Sequence, residues 1–291
     1  MAPTSGGTPR LLAVDLDGTL LGPLGQPHDI DVAAIRALRL TGAVVTILTG
    51  RMYSATRPTA ERLGLTGPVG CVDGSHLVDA ASHETLLHRG ITGKHAHGMR
   101  DILVRSQAAT FLFSRDVLLH DDAGDPFLPY MATWSTSLQR TRSVHEHATW
   151  DEPDGVTAAV SVGTGAQIAS AHAELDQKLE GAAYVASFPL RRLGELWGMI
   201  ARAAGGTKGS ALEWIAGHHG IALADTVCVG DWINDLPMFA RAGRSFAMGQ
   251  APPDVKRAAT DTLPVTHEQG GGVAWAIREA FGVHVPGLQD G

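Results

Sequence analysis

The first third of the chain alternates between two hydrophobic periods, and this alternation restricts the fold more than any other feature. Leu11-Leu12-Ala13-Val14 is a short apolar run that reads as a buried strand. Asp31–Leu40 places Val32, Ala34, Ile35 and Leu38 on one side of a helix that Gly42 ends. Ala43–Leu48 is β-branched and apolar, a second buried strand. Tyr53–Leu63 reads as a second helix closing at Gly64, and Val69–Val72 as a third strand. Strand–helix–strand–helix–strand predicts an α/β fold with a doubly wound parallel sheet.

From about His76 to Leu196 the rhythm changes. Strand-like pieces at Thr110–Phe113, Val117–Leu119, Thr157–Val162 and Ala182–Phe188 mix with helical patterns at Lys94–Ser106 and Ile168–Leu179. The α/β rhythm then returns, with a helix over Lys208–His218, a strand at Thr226–Val229, a helix at Asp235–Ala242, a strand at Ser245–Met248 and a last helix at Val273–Phe281. The expected organisation is a Rossmann-like core from residues 1–76 and 197–291, interrupted by an inserted α+β domain over 77–196.

Asp15 and Asp17 follow the first strand, two residues apart, before Gly18 and Thr19. In an extended segment such side chains point the same way and converge. Two converging carboxylates need a cation or a shared proton. Alone, Asp-x-Asp-Gly also fits an ordinary turn, with Thr19 as a cap for the next segment. The more distant strand ends distinguish these readings. Thr49-Gly50-Arg51 follows the second strand, Lys208-Gly209 opens a helix, and Gly230-Asp231-Trp232-Ile233-Asn234-Asp235 follows the Cys228 strand. In an open parallel sheet the carboxyl ends of the strands share the edge where ligands bind. Several carboxylates, a hydroxyl, a lysine and an amide gathered there suit a magnesium ion and a phosphoryl group.

These segments resemble the haloacid dehalogenase (HAD) superfamily of phosphohydrolases. Asp15-Leu16-Asp17-Gly18-Thr19 is similar to its first motif, Ile47-Leu48-Thr49-Gly50-Arg51 to its second, Lys208-Gly209-Ser210-Ala211-Leu212 to its third and Gly230–Asp235 to its fourth. The long interval between Thr49 and Lys208 matches the branch with a large C2-type cap, the Cof-type sugar phosphatases. Asp73 and Ser75 depart from the Asn-Gly-Ala that this branch commonly carries there. The resemblance implies that Asp15 is the nucleophile, forming an aspartyl-phosphate, and that Asp17 is the general acid and base. It implies Mg2+ held by Asp15, the main-chain carbonyl of Asp17, and Asp231. Thr49, Gly50, Lys208 and Asn234 would hold the phosphoryl oxygens, with Asp235 behind Lys208. The implied substrate is a small phosphorylated metabolite, a sugar phosphate first. A phosphomutase would use the same aspartates, and a catalytically silent binding module would keep the fold.

Composition narrows the alternatives. A net charge of −7 without a basic run argues against nucleic acid as a partner. No stretch of about 18 apolar residues supports a membrane span, which also excludes transport ATPases using the same aspartyl chemistry. Met1–Pro9 lacks the basic start and apolar centre of a signal peptide, and the two cysteines, Cys71 and Cys228, read as reduced core residues of a cytoplasmic protein. The pairs His95/His97 and His145/His147 have no accompanying third-ligand pattern, so they read as surface or hydrogen-bonded histidines in place of a zinc site. Arg115, Arg140 and Arg142 in the insertion are open to substrate contact, as is Trp134, though Trp134 reads first as buried in the insertion's own core. The sequence leaves oligomeric state open.

Overall fold

The computed structural model describes residues 10–190 and 193–288; the reading of Met1–Pro9 lies outside them. The chain begins with β1 (Leu11–Val14), α1 (Asp29–Leu40), β2 (Val44–Ile47), α2 (Tyr53–Leu63) and β3 (Pro68–Cys71), followed by β4 (His76–Asp79) and β5 (Thr85–His88). The insertion carries α3 (Gly93–Ser106), β6 (Ala109–Ser114), β7 (Val117–His120), α4 (Leu128–Met131), β8 (Leu138–Arg140), β9 (Ala158–Thr164), α5 (Gly165–Lys178), β10 (Ala183–Pro189) and β11 (Leu196–Ala203). The α/β alternation then returns as α6 (Lys208–His218), β12 (Thr226–Gly230), α7 (Leu236–Phe239), β13 (Arg244–Ala247), α8 (Pro253–Ala258), β14 (Asp261–Thr262) and α9 (Gly272–Phe281).

The chain divides into two compact units. One takes the chain up to Gly50, Thr56–Leu86 and Thr207 onward; the other takes Arg51–Ala55 and Leu87–Gly206. In the first, a parallel sheet runs β14-β13-β12-β1-β2. Leu11–Val14 is buried on both faces, which explains why it is apolar throughout. From β1 the chain moves one way to β2, while β12, β13 and β14 extend the other way. Strand order therefore reverses between β1 and β12, and their carboxyl ends flank the crevice where such sheets bind ligands. The Asp31 carboxylate of α1 accepts the Gly271 and Ala274 N–H groups at 2.9 and 2.8 Å, capping α9 from a neighbouring helix. At the end of α2, Arg36 and Arg39 donate to the carbonyls of Arg62 and Leu63 at 2.9 and 3.1 Å. Those guanidiniums oppose the negative end of the helix dipole.

The second unit is α+β. Its sheet runs β10-β11-β9-β6-β7-β8, antiparallel except for the β7–β8 pair. Ala96, Met99 and Leu103 of α3 and Ile168, Ala171 and Leu175 of α5 share one core with Leu112, Ala159, Met199 and Ala201 of the sheet. Trp150 is buried there, its indole N–H donating to the Val144 carbonyl at 2.8 Å.

The edges of the insertion differ from the expected 77 and 196. β4 continues the small sheet begun by β3, and β11 lies between β9 and β10 in the large sheet; the divisions fall at 86/87, within β5, and at 206/207. β11 escapes a sequence reading because Gly198 interrupts it; the Phe188 ring of the facing strand covers that glycine. Met52 and Ser54 belong with the insertion because their N–H groups donate to the Trp134 carbonyl and the Asp116 carboxylate at 2.8 and 2.9 Å. The helix expected over Asp235–Ala242 is a 3-10 turn at Ile233–Asp235 followed by one short helix. Among the described residues, no helix is long and apolar enough to cross a membrane.

Candidate active site

The site is built at the ends of β1 and β12. Asp15 is the first residue after β1, its N–H held by the Val229 carbonyl at 3.0 Å and its side chain buried. The Leu16 carbonyl then accepts the N–H groups of Thr19, Leu20 and Leu21, so the chain has left the extended conformation. Asp15 and Asp17 thus do not share a strand face: Asp15 is 4% exposed, whereas Asp17 occupies an exposed position. Gly18 has φ +78°, and a Cβ there would overlap the Asp231 carboxylate. Thr19 caps no helix. Its hydroxyl lies 3.2 Å from Asp231 Oδ1 and 3.5 Å from Asp15 Oδ2, between the two carboxylates.

Lys208 opens α6 behind a capping box formed by Thr207 and Ser210. Its ammonium is buried and lies 2.6 Å from both Asp15 Oδ1 and Asp235 Oδ1. The other Asp235 oxygen accepts the N–H groups of Asp231 and Trp232 at 2.8 and 2.9 Å. One carboxylate therefore fixes both the lysine and the loop carrying Asp231. Asn234 donates to Asp73 Oδ1 at 2.8 Å. Thr49 is fully buried, its N–H bonded to the Gly70 carbonyl and its carbonyl accepting the Asp73 N–H, each at 2.9 Å. All of these residues belong to the first unit.

Three participants carry no clear signal in the sequence. Gln250 follows β13 and donates to the Gly18 carbonyl at 2.5 Å, with Asp231 Oδ2 at 3.4 Å and its own carbonyl accepting the His267 N–H at 3.1 Å. Thr19 reads in the sequence as a cap, and Asp73 stands out there only as a departure from a family pattern. A lone glutamine in a loop carries no periodicity or spacing that could reveal it.

Electrostatics give the cluster its character. Burial by itself would lower the pKa of Lys208, but Asp15, Asp235 and Asp73 raise it above its ordinary value, so it is charged. Burial raises Asp15 well above the usual carboxylate range; Lys208 opposes this, while Asp235 and Asp231 add to it. Burial, then the neighbouring Asp235, raises Asp231 to about 6 against the pull of Lys208, Gln250 and Thr19. One oxygen each from Asp15, Asp231 and Asp235 lies within 4.8 Å of the others. An all-oxygen set with more negative charge than one lysine can neutralise fits a hard divalent cation.

These shifts make stability depend on pH. A carboxyl raised from 3.8 to about 6 on folding holds its proton more tightly in the native state. Its contribution therefore opposes folding increasingly as pH rises from about 4 to 6, by roughly 3 kcal/mol in all. In chelator-treated protein the urea midpoint is expected to fall over this interval. Asp231→Asn should remove that part of the fall, and an unchanged pH profile in the variant would contradict it.

The histidine pairs lie elsewhere: His97 pairs with Asp151 at 2.8 Å, and His147 accepts the Thr149 N–H at 3.2 Å. Arg140 is engaged by Asp122 and Asp125 at 2.6 and 3.0 Å. Trp134 is half-buried in its own unit among Phe113, Tyr130 and Phe188.

Residues 12–277 match the family model described as haloacid dehalogenase-like hydrolase. The chain belongs to that family. Among its relatives, an HMP-PP phosphatase of Yersinia pseudotuberculosis is 29% identical over 254 residues, covering 85% of this chain and 86% of the relative. Among solved structures, a haloacid dehalogenase-like hydrolase from Bacteroides thetaiotaomicron superimposes with a TM-score of 0.80 at 21% identity, covering 94% of this chain and 99% of the other. A HAD subclass IIB sugar phosphatase gives 0.73 at 18%, covering 94% and 100%. The α/β core with an α+β insertion is thus the fold of this HAD-like hydrolase, as its motifs imply.

Proposed function

We propose that this HAD-like hydrolase removes the phosphoryl group from a small phosphorylated metabolite, sugar phosphates first, in a Mg2+-dependent reaction. The observation that carries this reading is the buried array Asp235–Lys208–Asp15, which fixes a counter-charge against the carboxylate that follows β1. The family match and the HMP-PP phosphatase relative support a phosphate ester as substrate.

Asp15 attacks phosphorus, and the bond to the ester oxygen breaks. Asp17 gives its proton to the departing alkoxide, then takes a proton from the water that hydrolyses the aspartyl-phosphate, releasing orthophosphate and restoring both carboxyl groups. The differing exposure of Asp15 and Asp17 supports these unequal roles. Thr49, Gly50, Lys208 and Asn234 hold the phosphoryl oxygens, and Asp235 holds Lys208. Asp15, the Asp17 main-chain carbonyl and Asp231 would hold Mg2+, which when bound neutralises charge on the carboxylates and the phosphoryl group. Choice of the leaving group is assigned to the inserted unit. A cytoplasmic location is supported by two buried thiols, Cys71 and Cys228.

The test is release of orthophosphate from a panel of sugar phosphates and other metabolite monophosphates, with and without Mg2+. Metal-dependent release is expected. An isomerised sugar phosphate without orthophosphate would replace hydrolysis with a mutase. No turnover across the panel, with Asp15→Asn behaving as wild type in ligand binding, would point to a binding module.

A further inference from the structure

Asp73 sits among the residues assigned to the phosphoryl group, although it adds negative charge where an anion must enter. Its Oδ1 accepts from Asn234 at 2.8 Å, and its N–H donates to the Thr49 carbonyl at 2.9 Å. The same Oδ1 lies 3.6 Å from where a Cβ on Gly50 would stand. Asp73 is 9% exposed, and its charge acts on Lys208. It therefore adjoins Thr49, Gly50 and Asn234 and acts electrostatically on Lys208.

The backbone that delivers it is strained. Val72, Asp73 and Gly74 have φ of 48°, 52° and 94°, three left-handed residues in succession. A β-branched valine there is costly and persists only where the surroundings over-determine it. Here they do: Asp73 is bonded on both its main chain and its side chain, and a Cβ on Gly74 would collide with the Thr207 carbonyl beside Lys208.

We propose that Asp73 is a positioning residue that limits the affinity of the phosphoryl pocket for orthophosphate, holding Asn234 in place while opposing the retention of the product anion. This inference rests on the phosphatase reading of the same site. Hydrolysis by Asp15 and Asp17 ends with orthophosphate among Thr49, Gly50, Lys208 and Asn234. A lysine opposed only by Asp15 and Asp235 would hold it more tightly and slow turnover. A carboxylate bonded to the asparagine, its charge also acting on the lysine, weakens the complex electrostatically without removing a donor.

The decisive variant is Asp73→Asn. Asn has the same shape, accepts through its amide oxygen and tolerates the left-handed region as Asp does. Orthophosphate binding, measured by calorimetry in Mg2+ buffer, and competitive product inhibition are both expected to tighten about tenfold, which is about 1.4 kcal/mol. Thermal unfolding should be nearly unchanged. If the Asn variant fails to fold, Asp73→Gly suits the backbone and removes the charge together with the acceptor for Asn234, so a smaller tightening is expected and the absence of any tightening overturns the inference. A purely structural role would leave orthophosphate binding unchanged or weaken it, and either result, or no measurable binding to any form, overturns the inference. If wild type releases phosphate from no monoester and yet the variant binds orthophosphate more tightly, the phosphatase reading fails while the inference about Asp73 stands.

Discussion

Asp15→Asn is expected to lower orthophosphate release at least about a thousandfold, because an amide oxygen cannot form the aspartyl-phosphate. The substitution is nearly isosteric in a fully packed position. The new amide oxygen can still accept from Lys208, and Lys208 keeps Asp235 at 2.6 Å, so the fold should survive with a small change in urea midpoint. Stability and turnover therefore separate in this variant. Rapid quenching of wild type with a radiolabelled phosphomonoester should trap label on the protein, and the Asn variant should trap none. Activity within tenfold of wild type would remove Asp15 from the role of nucleophile.

Lys208→Met is the second large effect, and it acts on stability as well as chemistry. The Lys208 ammonium is buried and bridges Asp15 and Asp235, at 2.6 Å from each. Methionine fills much of the volume but leaves two carboxylates facing each other without a counter-charge. Removing one partner from a buried ionic array costs about 3–5 kcal/mol. In the metal-free protein the urea midpoint should fall accordingly, and orthophosphate release should drop at least about a hundredfold. A loss below about 1 kcal/mol would show that the array is not what holds this part of the core together. Combining Lys208→Met with Asp235→Asn should restore part of the lost stability, because one uncompensated charge is then removed.

Much of this site is legible in the chain because its key residues follow strands. A strand that is buried on both faces must be apolar, so the point where Leu11–Val14 gives way to Asp15 is visible as a change of chemistry. The same holds for Thr49 after β2 and Asp231 after β12. Lys208 is legible for a different reason: with Gly209 it opens the helical pattern over Lys208–His218. Conversely, Gln250 and Thr19 reach the site from turns. No repeat period marks a turn residue, and only the folded chain shows where its side chain lands.

Elements escape a sequence reading where local pattern and tertiary role disagree. β11 contains a glycine that weakens any strand reading, yet it lies between two partners and gains hydrogen bonds on both edges. The boundary of the insertion moves with it, since strand pairing and not composition decides which unit a strand joins.

By itself the sequence determined the α/β alternation, the interruption by a second domain and the set of chemical groups at the strand ends, because burial imposes composition and period on each element. Tertiary structure alone decided how those groups differ. It buried Asp15 against Lys208 while leaving Asp17 exposed, turned Thr19 from a cap into a bridge between carboxylates, and brought Asp73 beside Asn234. These differences come from burial and from partners up to 212 residues apart, such as Thr19 and Asp231, quantities that no local window of the chain contains.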